Sequence, residues 1–116
     1  MAFDYSRLSE ITTISDTPTV IYTNPSGIKS YIRLIMIHNT NTIVENIELW
    51  NVPDSSGSVG AVADINKIFK DSLDADGTLF LEFAIPGIIL EDLNDTIQAK
   101  TTTASKVTIQ IMGGSE

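Results

Sequence analysis

Alternation with a period of two, near the middle of the chain, is the feature that most limits what this sequence can fold into. From Tyr31 to His38 one face reads Ile32, Leu34 and Met36, and the other reads Tyr31, Arg33, Ile35 and Ile37. Successive side chains of a strand point to opposite faces, and β-branched residues uninterrupted by Pro or Gly favour a central strand. Both faces are largely apolar. The strand is therefore expected to lie between its own sheet's core and a second surface, such as a neighbouring subunit. Tyr31, Arg33 and Ile35 are candidate protein-interface residues on this reading.

The same pattern recurs along the chain. Ile43 to Trp50 follows Asn39-Thr40-Asn41, with Ile43, Ile47 and Leu49 on one face and Asn46 and Glu48 on the other, and is expected to close a hairpin with the preceding strand. Trp50 falls on the polar face and should be half-exposed, either as a rim residue closing the fold or as an interface anchor. Upstream, Thr17 to Tyr22 is a short strand ended by Asn24-Pro25-Ser26-Gly27, a turn where Pro pre-sets φ and Gly accepts positive φ, which makes another hairpin or corner. Downstream, Asn51 to Gly60 reads as a mobile loop rich in Ser, Gly and Asp.

Asp64 to Leu73 fits two periods. Ile65, Ile68, Phe69 and Leu73 form a helical stripe with Asp64 as N-cap, but a strand is the expectation because every other segment reads β. Leu79, Leu81 and Phe83 then alternate with Phe80 and Glu82, Pro86-Gly87 bends the chain, and Ile88 to Leu90, Thr96 to Lys100 and Val107 to Met112 complete about eight short strands. Unequal strands and long corners suit a two-sheet antiparallel β-sandwich, of jelly-roll or immunoglobulin-like type, better than a wide barrel. The fold class is all-β.

A chain of 116 residues has room for one domain, and 42% hydrophobic against 19% charged residues is enough to build a core. The absence of Cys excludes disulfides, thiolate zinc sites, iron–sulfur clusters and a Cys nucleophile. The first ten residues, with Asp4, Arg7 and Glu10, lack the apolar run of a signal peptide, and nowhere do eighteen apolar residues follow one another, so neither secretion by that route nor a membrane partner is expected. A formal charge of −8 opposes binding to nucleic acid, whose affinity comes from Lys and Arg neutralising phosphates. The seven cations are scattered, while Asp71 to Asp95 carries seven acids and no base; that stretch is read as a solvated surface.

No motif supplies a catalytic, cofactor-binding or metal site. Asp74-Ala75-Asp76-Gly77 has calcium-loop residues, but in that register the first position falls on Ser72 and the twelfth on Phe83, leaving no bidentate acid. A tight turn explains these residues more simply. His38 is the sole histidine and has no assignable acid, nucleophile or pocket. Glu91 and Asp92 are adjacent, so on a strand they point to opposite faces. The chain is expected not to be an enzyme.

A set of elements resembles a known family. These are Tyr22-Thr23-Asn24-Pro25 closing an early strand, Ile35-Met36-Ile37-His38-Asn39, Pro86-Gly87-Ile88-Ile89-Leu90, Asp95-Thr96-Ile97-Gln98-Ala99-Lys100, and Ala104 to Ile111 running into Gly113 to Glu116. Together they resemble the small β-sandwich virion proteins of tailed bacteriophages, with Asn94-Asp95 in place of the Gly-Asp usual there. The resemblance implies a capsid decoration, or cement, protein that binds and stabilises the major capsid protein shell. It is one made in the host cytoplasm, placed on the capsid surface and grouped as a homotrimer. Residues 1–14 would then be an N-terminal arm or edge strand and residues 15–116 the sandwich domain. Neck, tail or head-fibre base components and receptor-binding adhesins are the alternatives it leaves open, and none brings catalytic residues or a cofactor.

Overall fold

A computed structural model describes residues 4–116, so Met1, Ala2 and Phe3 of the expected arm lie outside the described residues. Among the described residues ten strands form: β1 (Asp4–Arg7), β2 (Thr12–Ile14), β3 (Thr19–Thr23), β4 (Ser30–Asn39), β5 (Glu45–Val52), β6 (Lys67–Leu73), β7 (Thr78–Glu82), β8 (Ile88–Leu90), β9 (Thr96–Thr101) and β10 (Val107–Ser115). The eight strands expected from the sequence are all present, and the added two come from residues 4–14, which pair along β10 of the same chain. The segment Asp64 to Leu73 divides into a single 3-10 turn, Asp64–Asn66, and strand β6.

The strands form two antiparallel sheets. One runs β1/β2–β10–β4–β7/β8 and the other β3–β9–β5–β6. β1 and β2 are two pieces of one broken edge strand along β10, and β7 and β8 are two pieces of another along β4. Broken edges leave little continuous backbone for another chain to pair with. With the pieces joined, first pairs last, second pairs second-last, and so on inward to β5 with β6. This long hairpin is rolled so that successive pairs alternate between the sheets, which is the jelly-roll arrangement and not the immunoglobulin one.

Between the sheets lies a core of twelve buried residues, eight of them Ile: Ile14, Ile32, Ile35, Ile37, Ile47, Ile97, Ile109 and Ile111, with Leu49, Leu90, Ala99 and Val107. β-branched side chains fit the pleated surface with little rotamer loss, and each fully buried one contributes about 1.5–3 kcal/mol.

The expected hairpin over Asn39 to Asn41 is instead a corner, because β4 belongs to one sheet and β5 to the other. Asn39 makes the corner possible: its buried amide donates to the carbonyls of Ile43 (2.9 Å), Leu73 (3.1 Å) and Asp74 (3.2 Å) and accepts the Asn41 N–H (2.9 Å). At the other end of β4, Asn24 donates to the carbonyls of Ile28 (2.8 Å) and Asp92 (3.1 Å) and accepts from the Ser30 hydroxyl (2.6 Å). Two buried amides thus stitch four sheet-to-sheet crossings, satisfying backbone groups that the ladders cannot reach. Glu45, also fully buried, takes the Thr103 N–H and hydroxyl (both 2.8 Å) and the Asn41 amide (3.0 Å), so its carboxylate joins the β4–β5 and β9–β10 corners.

Strict alternation fails at Arg33. Met112 pairs with Leu34 but Gly113 pairs with Ile32, so Arg33 is an extra residue on β4, a β-bulge. On its other side β7 ends at Glu82 and β8 begins at Ile88, and the Phe83 N–H bonds the Arg33 carbonyl at 2.9 Å. The bulge changes which side chains point inward: Ile32, then Ile35 and Ile37. A one-residue shift flips every later side chain to the other face.

Candidate interaction surfaces

The bulge reassigns the surface expected from the sequence. Ile35 is 0% exposed in the core, so it is no interface residue; Leu34 and Met36, expected on the opposite face from it, take the outward positions. Tyr31 is half-buried and its hydroxyl donates to Glu116 Oε1 at 2.6 Å, fastening the end of β10. That hydrogen bond, with partial desolvation and the nearby carboxylate charges of Glu116 and Glu91, raises the phenol above its ordinary value. Arg33 is half-buried on the bulge and its Nε donates to the Phe83 carbonyl at 3.4 Å.

Trp50 stands on the outer face of the four-stranded sheet, as alternation requires, yet it is only 5% exposed. The reason is the segment after β5, expected to be mobile. It folds back over that face: Gln98, cross-strand from Trp50, donates to the Gly60 carbonyl (3.0 Å), Asn94 donates to the Gly57 carbonyl (2.7 Å), and the Asp54 N–H donates to Asp95 (2.9 Å). Val52, Thr96 and Gln98 are buried beneath it with Trp50. The Lys67 ammonium closes the remaining side, 5.5 Å from the indole centroid and 2.7 Å from Glu48 Oε1. Their hydrogen bond holds Glu48 below the usual carboxylate range and Lys67 above the usual ammonium range.

The outward face of the six-stranded sheet differs in character. Residues directly opposite on paired strands share a face, so Glu82, Leu34, Met112 and Arg7 form one row and Phe80, Met36 and Gln110 the next. Leu34, Met36 and Met112 are partly exposed and Phe80 is 56% exposed. A second apolar group, Ile65, Ile68 and Ile89, lines a shallow hollow of about 370 Å3 beside Pro53, with Ile65 91% exposed. By contrast, the uncovered part of the other sheet's outer face is polar, a hollow of about 510 Å3 bounded by Asn46, Glu48, Lys70, Lys100 and Thr102. The sequence asks for an outer apolar surface on β4 but assigns it to Ile35 and not to Leu34 and Met36, because the bulge is not visible in it, and Ile65 goes unmarked because it sits among polar residues of a turn.

Chemical groupings are sparse among the described residues. His38 Nδ1 lies 2.7 Å from Thr78 Oγ1 and its Nε2 3.3 Å from Asp76, on an open sheet face. Asp74 to Gly77 forms the expected turn, closed by the Gly77 N–H on the Asp74 carbonyl (2.9 Å) with Asp76 at φ 58°. The carboxylates of Asp54, Asp92 and Asp95 lie within 4.8 Å of one another, the one grouping of acids that could hold a cation. Asp95 already accepts the backbone N–H groups of Asp54, Glu91 and Asp92, so its oxygens are engaged in fastening the β8–β9 corner.

The chain matches no protein-family model, no curated protein and no solved structure.

Proposed function

We propose that this chain is a non-enzymatic structural protein of a bacteriophage virion, a decoration protein that packs on the major capsid protein shell or on other virion subunits. One observation carries the reading: Leu34, Met36, Phe80 and Met112 lie side by side, partly or largely exposed, on the outward face of the six-stranded sheet. Apolar surface gathered on one side of a small domain is what a protein–protein contact uses. The bacteriophage assignment is supported by the sequence elements named above, and jelly rolls recur in viral capsid and lectin domains. A net charge of −8 disfavours nucleic acid, and among the described residues no helix is long and apolar enough to cross a membrane. A receptor-binding adhesin is the weaker reading, since its best sugar-stacking residue, Trp50, is buried under the 53–60 segment.

The test is the content of purified particles. Mass spectrometry of gradient-purified virions should find this chain in fixed ratio to the major shell protein, and electron cryomicroscopy should place it on the outer surface. Recovery of the chain only as free protein, or turnover of a small substrate by it, overturns the proposal.

A further inference from the structure

The row across the middle of the six-stranded sheet's outward face has a polarity that the neighbouring rows lack. From the β7 edge to the β1 edge it reads Glu82, Leu34, Met112, Arg7: an acid, two apolar residues, a base. Glu82 has no ion pair among the described residues, and Arg7 has only an exposed contact to Glu10 at 3.2 Å. Such an exposed pair is worth little and leaves the guanidinium able to take a better partner.

Consider a two-fold axis parallel to the strands and midway between β4 and β10, the central strands of that sheet. Half a turn about it exchanges the two edges. Glu82 of one copy then faces Arg7 of the other, Arg7 faces Glu82, and Leu34 sits over Met112. An isologous interface requires this self-complementarity, a patch whose features invert across its own centre. The adjacent row adds the exposed ring of Phe80 and the half-exposed Met36 to the apolar middle. We infer that two copies of this chain associate face to face through this sheet, with two Arg7–Glu82 ion pairs flanking an apolar strip of Leu34, Met36, Phe80 and Met112. The inference rests on the subunit-binding reading above and replaces the three-fold grouping that the sequence resemblance implies with a two-fold one.

Sedimentation equilibrium tests it on the full chain. The expected mass at low ionic strength is twice the 12.6 kDa of one chain. Glu82→Arg and Arg7→Glu should each weaken association by about ten-fold or more, because each turns two attractive pairs into repulsive ones. The double charge swap should return the affinity to within about three-fold of the parent. Phe80→Ser, with circular dichroism confirming the fold, should weaken association without altering its salt dependence. A monomer, a trimer, a dimer indifferent to Glu82→Arg, or a double swap that fails to restore binding overturns the inference. A monomeric chain that nonetheless enters particles in fixed ratio removes the two-fold pairing alone, and the structural role survives.

Discussion

Gly113 offers the most direct test of the bulge at Arg33. Its backbone passes so close to β4 that a methyl there would stand well under 3.0 Å from the Tyr31 carbonyl oxygen, 3.0 Å from the Tyr31 carbonyl carbon and 3.2 Å from the Arg33 nitrogen. All three atoms are backbone of β4, the central strand beside β10, so no side chain can swing aside. Gly113→Ala must therefore open the β4–β10 ladder locally. Overpacking costs about 1–3 kcal/mol, and a weakened ladder bond adds roughly 1 kcal/mol. The total is about 2–4 kcal/mol, which at roughly 4 °C per kcal/mol lowers the melting midpoint by about 8–16 °C. Gly27→Ala is the control. Gly27 has φ 73° and nothing within 4 Å of its missing Cβ, so it should cost only the about 1 kcal/mol of placing an L side chain in the left-handed region. Urea unfolding followed by circular dichroism, with the slope m unchanged between variants, measures both. If Gly113→Ala costs no more than Gly27→Ala, the close approach is not rigid and the bulge does not set the packing of this sheet.

Two further outcomes follow from the polar groups. Glu45→Gln should destabilise the fold by about 1–3 kcal/mol in the same urea assay, since an amide cannot accept from the Thr103 N–H, the Thr103 hydroxyl and the Asn41 amide together, and one buried donor is left facing another; a cost near zero would mean the corners do not depend on that carboxylate. The Glu48–Lys67 pair should shape stability at both pH extremes: Glu48 is held below its ordinary 4.5, so its contribution is present above that pH and lost as pH falls through the lowered value, while Lys67 is held above 10.5, so its contribution is present below that pH and lost as pH rises through the raised one. Tyr31, raised above 10.0, loses its contribution on the same alkaline side. Melting midpoints against pH for the parent and Lys67→Met check this, and a variant curve as steep as the parent's below 4.5 would refute the pairing.

How far the sequence discloses this fold depends on which kind of signal each part leaves. Eight of the ten strands and the two-layer architecture follow from patterns such as the alternation at Ile47 and Leu49, Leu79 and Leu81, and Ile109 and Ile111, all of which face or pack on the core as their spacing requires. Sheet membership was not legible. Nothing local distinguishes a hairpin from a corner at Asn39, because the deciding partners, the carbonyls of Leu73 and Asp74, lie over thirty residues away. The cover over Trp50 was hidden for a similar reason: Ser, Gly and Asp make a mobile loop and a pinned one look alike, and only the distant acceptors and donors at Asp95, Asn94 and Gln98 separate them. Residues 4–14 carry too few alternating apolar residues to announce strands, and they order by pairing with β10.

The bulge at Arg33 ties these levels together. Read at strict period two, Tyr31 to His38 places apolar residues on both faces and so asks for a second surface beside the core. The extra residue resolves part of that demand, since it turns Ile32, Ile35 and Ile37 to the same side and makes one face dense enough to anchor the sandwich. What remains outward is Leu34 and Met36, less buried and flexible or γ-branched, next to Phe80 and Met112 on the neighbouring strands. Such side chains adapt to a partner more readily than Ile does, because their χ1 rotamers are less restricted. Carrying the extra residue as a bulge therefore keeps a rigid inner layer and a softer outer patch on a single strand. Deleting Arg33 tests this: Ile32 and Leu34 already oppose the adjacent Gly113 and Met112, so the ladder should close regularly with Ile32, Ile35 and Ile37 still inward, and circular dichroism should report a folded domain that keeps its outer patch; loss of the fold would mean that the kink itself is needed.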